Sequence, residues 1–221
     1  MRISAARCAT LAIAGVALYV LLDVALVFLR PRFSVLHNAE SDYGSAGRYA
    51  WLMDANFVLR CALSVAVVCA LWLGAPESRR LRVGLGLLLV WAIASGLLAF
   101  FPDDPVGTTT HGLARVHQAL ALIAFPAVIL GTRITTRALV RLDGWRPVVP
   151  ALVVLSWGAL VPILLLGKTH LRPHSLGGLW EKIFLAVELA WFLVAAVWIA
   201  TGPGGEAHEL VSSEPSSSVQ T

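Results

Sequence analysis

Charge is scarce in this sequence: 14% of the 221 residues are Asp, Glu, Lys or Arg, against about a quarter in a typical soluble domain. Lysine occurs only at Lys168 and Lys182. The few arginines punctuate apolar runs and form no basic face carrying aromatics, which excludes a nucleic-acid-binding surface despite the net charge of +4. Cysteine is equally sparse. Cys8, Cys61 and Cys69 have no metal-ligand spacing and read as small apolar packing residues. No Gly-x-Ser-x-Gly elbow, phosphate loop, dinucleotide fingerprint or His-Glu-x-x-His motif occurs. Strand patterns and internal repeats are also missing. The dominance of Arg, Ala, Val, Gly and Leu over Lys suggests a GC-rich bacterial genome.

What the chain has in excess is apolar length. It is 58% hydrophobic, with a mean hydropathy of +0.78. The excess is gathered in long runs over 8–29, 49–74, 82–101, 112–133, 147–167 and 179–201. A membrane-spanning helix needs about 20 apolar residues for a core about 30 Å thick. Lipid offers the backbone no hydrogen-bond partner, so such runs satisfy themselves as helices. The expected fold is therefore all-α: a polytopic transmembrane bundle of about six helices with short loops. Residues 1–201 form a single domain. The Ser-, Pro- and Glu-rich stretch 202–221 reads as a disordered cytoplasmic tail. The first run follows Arg2 and Arg7, is too long for a signal-peptide core, and is expected to be retained as a helix.

Loop arginines and lysines orient the bundle. Arg2, Arg7, Arg79, Arg80, Arg82, Arg133, Arg137, Arg141 and Arg146 would share one side, and Arg30, Arg32, Arg48, Lys168 and Arg172 the other. The larger set belongs inside, so both termini are expected in the cytoplasm and the chain in the cell's inner (plasma) membrane. Trp51 and Trp180 then mark the outer interface, and Trp72, Trp145 and Trp198 the inner one.

Polar residues are lopsided. His37, His111, His117, His170 and His174 fall on the outer side, with Glu40, Asp42, Asp103, Asp104 and Glu181. The plain reading of such loop residues is a solvated face. Asp23, Asp54, Asn56, Arg60, Arg115, His117 and Glu188 are harder to dismiss, because they lie within apolar runs. A charge at the centre of a spanning helix costs about 2.5–3.5 kcal/mol on the insertion scale. These residues suggest a polar cavity opening outward, or else internal pairs that only lock helices together. The catalytic candidates are His117 as acid or base, with Asp103, Asp104 and Glu181 as partners. Asp54, Asn56, Arg60, Arg115 and Glu188 are binding candidates, with Arg115 suited to a phosphate. His111 and His117 with Asp103 or Asp104 are the most plausible mixed donors for zinc, but they follow no ligand motif, and neither metal nor cofactor is expected. Arg60 and Glu188 lie about 17 Å and about 14 Å from the same membrane face at about 1.5 Å per residue. That matched depth predicts that they pair across the second and sixth spans, directly or through a polar neighbour such as Asn56, with Asp23 as the alternative partner at a shallower depth.

Several segments also resemble a known family. Glu40-Ser41-Asp42-Tyr43-Gly44 followed by Tyr49 to Phe57, then Phe101-Pro102-Asp103-Asp104-Pro105 with Gly112 and His117, then Gly178-Leu179-Trp180-Glu181-Lys182 leading to Trp191, resemble the domain-of-unknown-function 998 family in their motifs and the order of them. The resemblance implies a small bacterial or archaeal membrane protein and implies no activity. Three functions stay open: an outward-facing site for a small-molecule or lipid ligand, an enzyme acting on a lipid or other outer-side substrate, and a transporter or structural assembly protein. The nearly apolar inner halves of the helices count against a continuous pathway for transport.

Overall fold

In a computed structural model, the described residues are 4–104, 112–169, 172 and 174–202. His111, His170 and the tail from residue 203 lie outside them. The helices are α1 (Ala5–Leu29), α2 (Ala50–Gly74), α3 (Arg79–Leu97), α4 (Gly112–Leu139), α5 (Val149–Gly158), α6 (Leu160–Thr169) and α7 (Gly177–Ala200). Among the described residues there is no strand. Six spans are long and apolar enough to cross a membrane, with α5 and α6 together forming the fifth. Leu122 is 75% exposed and Phe28 77%. Such side chains around a bundle perimeter are consistent with lipid as the solvent.

Sequence pattern explains the ends and the breaks. Ser4 caps α1 by accepting from the Arg7 N–H at 3.3 Å, and Ser78 caps α3 through the Leu81 N–H at 3.1 Å. The fifth span, expected as one helix, is interrupted at Ala159. Pro162 has no N–H to return to the Gly158 carbonyl, which accounts for the break. The fourth helix runs past its expected end at residue 133 to Leu139. Polar residues hid that extension from a hydropathy reading. Thr132 and Thr136 return their hydroxyls to carbonyls one turn back at 2.9 and 2.7 Å. Arg133 stacks its guanidinium 3.6 Å from the Trp157 ring centre.

The spans close into a ring in chain order, with α7 returning to pack on α1 and also touching α2. Helices α3 and α4 approach most closely. A Cβ on Gly131 would lie 2.8 Å from the Leu88 side chain, and one on Gly84 would meet the Thr135 hydroxyl and lie 2.8 Å from its backbone nitrogen. Trp145, expected in the interfacial belt, is instead buried in the main core. The 3₁₀ turn Asp143–Trp145 folds it inward, while Trp198 on α7 donates to the Gly144 carbonyl at 3.1 Å.

The largest departure from expectation is residues 30–49. This stretch reads as a solvated loop, yet Ala39, Glu40, Ser41, Asp42, Tyr43 and Ser45 are all buried. It forms a cap packed into one end of the bundle. Phe33 and Tyr43 share a small core with Leu26, Met53, Phe57 and Leu98. Arg30, at the end of α1, donates to the Tyr43 and Ser45 carbonyls and, at 3.2 Å, to that of Ala46. Burial, then the neighbouring Arg32, lowers the Arg30 pKa from its usual value. The Tyr43 hydroxyl donates to the Phe33 carbonyl at 3.3 Å. Its pKa is pushed up to about 12 by burial first and by Asp23 and Asp42 second. Non-helical backbone is tolerated near membrane depth only when protein surrounds it and satisfies its polar groups, as happens here.

Candidate functional site

The cap brings a carboxylate to the polar residues of the spans. Tyr19 on α1 is ten residues from Leu29, and Arg60 on α2 is ten from Ala50, so each lies about 15 Å from the cap end of its helix. The Glu40 side chain descends between them. Its Oε2 is 2.8 Å from Arg60 Nη1, with both side chains almost fully buried. Its Oε1 accepts from the Tyr19 hydroxyl, and Arg60 Nη1 is 3.4 Å from that hydroxyl. An aromatic wall completes the setting: the guanidinium carbon is 4.9 Å from the Phe57 ring centre and 5.1 Å from that of Trp91. Trp91 Nε1 donates to Ser64 Oγ at 3.1 Å, which donates to the Arg60 carbonyl at 2.7 Å. The charge of Arg60 is therefore paired, hydrogen-bonded and faced by rings, as a buried cation requires.

Helix α7 joins the same cluster. Glu181 Oε2 accepts the Glu40 N–H at 3.1 Å, and Lys182 Nζ donates to the Asn38 carbonyl at 2.8 Å. These contacts need the α7 backbone to lie directly on the cap. At Gly178 a Cβ would overlap the Asn38 carbonyl oxygen and lie 2.7 Å from Asn38 N, and the Leu179 N–H donates to the Leu36 carbonyl at 3.0 Å. Only glycine leaves room for that approach.

Across the cap a second set forms. Asp103 Oδ2 accepts from Ser41 Oγ at 3.0 Å and lies 4.0 Å from His117 Nε2. His117 Nδ1 is 2.6 Å from the Phe101 carbonyl, so that nitrogen carries the proton and Nε2 faces the carboxylate. The Ser41 hydroxyl directs its hydrogen bond to Asp103 and not to His117, so His117 is not placed to activate it as a nucleophile. The Asp104 N–H donates to Asp103 Oδ1 at 2.9 Å.

The expected pair of Arg60 with Glu188 does not form. Helices α2 and α7 do touch, but Arg60 reaches toward the cap and takes Glu40. A long guanidinium side chain can seek a partner well above its own Cα. Glu188 instead lies beside Thr132, whose hydroxyl is committed to the Val128 and Ile129 carbonyls, and among the described residues neither carboxyl oxygen has a satisfactory hydrogen bond. Replacing Glu188 with Leu is thus expected to raise stability by about 1 kcal/mol, because a buried polar group without partners is removed. Unfolding of the variant in detergent checks this; a loss above that size would mean Glu188 has a partner in the membrane.

Among the other candidates, Asp54 lies at the cap, with Oδ1 3.9 Å from where a Gly44 Cβ would be. Asn56 is fully buried and, among the described residues, neither end of its amide has a partner. Arg115 sits on the exposed face of α4, while His117 turns inward. Among the described residues, no group of three His, Cys, Asp or Glu side chains is placed to hold a metal. Sequence reasoning undervalued Glu40 and passed over Tyr19 and Lys182. The available signal was spacing: Tyr19 and Asp23 are four apart and so share a face of α1.

A groove of about 390 Å³ opens beside the cluster, between α1 and α7. Tyr19, Asp23, Glu40 and Lys182 line its polar end. Val16, Leu185, Leu189 and Leu193 are among the residues lining the rest. A second cleft, of about 710 Å³, lies at the other end of α3 and α4 and is lined by Arg79, Arg80 and Arg137 among others.

Six spanning helices, closed at one end by a cap over a buried charge cluster, define a multi-pass α-helical membrane protein. The chain belongs to the family described as Protein of unknown function (DUF998), whose model matches residues 13–198 and so takes in the whole cluster. No curated protein and no solved structure matches it.

Proposed function

We propose that this protein binds an amphiphile from the outer leaflet of the cell's plasma membrane, in the groove between α1 and α7. The observation that carries the reading is the groove's polarity: charged at the cap end, apolar along the rest. Its residues on α7 run from Lys182 to Leu193, which is about 17 Å along the helix and close to half of a bilayer core about 30 Å thick. Its volume of about 390 Å³ falls within the range of about 300–1,000 Å³ found for ligand pockets. A water-soluble ligand would have no use for the apolar part, whereas a lipid chain fits it.

The test fills the groove. Ala190 lines it and is only partly buried, so Ala190→Trp occupies the apolar part without entering the core. Native mass spectrometry of the purified full-length protein, titrated with phospholipid, should show a bound lipid that Ala190→Trp removes. Undiminished binding by the variant would overturn the reading.

The outward placement of the cap rests on the loop arginines. Reporter fusions in the 134–146 loop and at the C-terminus should both read cytoplasmic; an external reading of either reverses the orientation.

A further inference from the structure

We infer that the groove selects a phospholipid whose headgroup carries a primary ammonium beside its phosphate, with Asp23 receiving the ammonium and Lys182 the phosphate. This rests on the amphiphile-binding reading and adds the identity of the head.

The titratable groups at the groove's polar end are unequally engaged. Asp23 and Glu40 line it, and Glu181 lies behind Glu40. Glu40 is engaged on both oxygens, by Tyr19 and by Arg60. Glu181 accepts the Glu40 backbone N–H. Asp23 lines the groove and, among the described residues, accepts no hydrogen bond and makes no ion pair. Two cations face them. Arg60 lies beneath, bound to Glu40 and screened by rings. Lys182 directs protons to the carbonyls of Asn38 at 2.8 Å and Gly178 at 3.5 Å, which leaves one of its three for a ligand. Asp23 and Lys182 thus line one opening from α1 and α7, one acidic and one basic, and each has unused hydrogen-bonding capacity.

The complementary head must be zwitterionic, with its cation able to donate hydrogen bonds. A headgroup that is only anionic would satisfy Lys182 and leave Asp23 facing a like charge. A primary ammonium offers three donors to Asp23, and its adjoining phosphate offers acceptors to Lys182. The tail then lies along Leu185, Leu189 and Leu193.

The probes are phosphatidylethanolamine and phosphatidylglycerol with identical acyl chains, titrated separately against the full-length protein, with bound lipid counted by native mass spectrometry. Wild type should prefer phosphatidylethanolamine by about tenfold or more, the value of one charge-assisted hydrogen bond. Asp23→Asn, which keeps the shape, should bring the two lipids within about twofold of each other while phosphatidylglycerol binding persists. Asp23→Glu should retain the preference. Equal binding of both lipids by wild type, or an unchanged preference in Asp23→Asn, overturns the assignment of the head and leaves the amphiphile reading standing. Binding of neither lipid overturns both.

Discussion

Replacing Arg60 with Met is expected to destabilise the protein by about 3–5 kcal/mol, because it strands the buried Glu40 carboxylate without its cation. The cost falls on more than one helix. Glu40 belongs to the cap and also meets Tyr19 on α1, while its backbone N–H is bound to Glu181 on α7. Loss of the ion pair therefore loosens the junction of the cap with α1, α2 and α7. Replacing Glu40 with Gln in the same chain should recover much of the loss, since neutral partners in a buried site need no counter-charge. Two double-mutant cycles, measured by unfolding in mixed micelles, separate this pairing from the one that helix depth alone suggests. Arg60 with Glu40 should be strongly coupled. Arg60 with Glu188 should be additive within about 0.5 kcal/mol. The reverse pattern would mean that the cap does not hold its carboxylate in the bundle.

The second large effect is expected at Gly178. Alanine there places a carbon against the Asn38 backbone, where the near atoms cannot swing aside as a side-chain tip can. Overpacking of this kind costs about 1–3 kcal/mol. Here it also threatens the Leu179-to-Leu36 and Lys182-to-Asn38 hydrogen bonds. The cap should separate from α7 more often, and trypsin should cut faster at the exposed Arg32 and Arg48. Each 1.4 kcal/mol or so of lost closure corresponds to about tenfold in the open population that the protease samples. Gly86→Ala is the control. No atom lies within 4 Å of a Cβ at that position, so alanine should be neutral or gain up to about 1 kcal/mol from helix propensity. Equal trypsin rates for the two variants would show that the cap does not depend on close backbone approach at α7.

The contrast between Glu40 and Glu188 shows how far linear reasoning reaches. Both are carboxylates, and depth along a spanning helix marks Glu188 as the costly one. Depth ranks the cost of a charge correctly but says little about its partner, because partners come from neighbouring elements at angles the chain does not display. Glu40 lies outside every apolar run, so hydropathy assigns it to water. Its burial follows from packing of Phe33 and Tyr43, the Arg30 contacts and the close approach at Gly178. None of these is periodic. The sequence offered Asp103, Asp104 and Glu181 alike as partners of His117, and only the packing puts Asp103 beside it while Glu181 turns to the Glu40 backbone. Ser41, which joins Asp103 to the cap, was legible only as part of a loop signature.

By itself, the sequence determined the all-α class, the number of spans, their approximate limits and the family. Lipid permits few solutions for a long apolar backbone, and each run solves its own hydrogen bonding locally. Tertiary structure alone decided that residues 30–49 fold into the bundle and that Glu40 answers Arg60. It also decided that α1 and α7 leave a groove beside Asp23 and Lys182. Those features depend on contacts between residues distant in the chain, such as Glu40 with Glu181 and Asn38 with Lys182. Long-range contacts of that kind leave no period in the sequence, because each is made once and is set by the shapes of both partners.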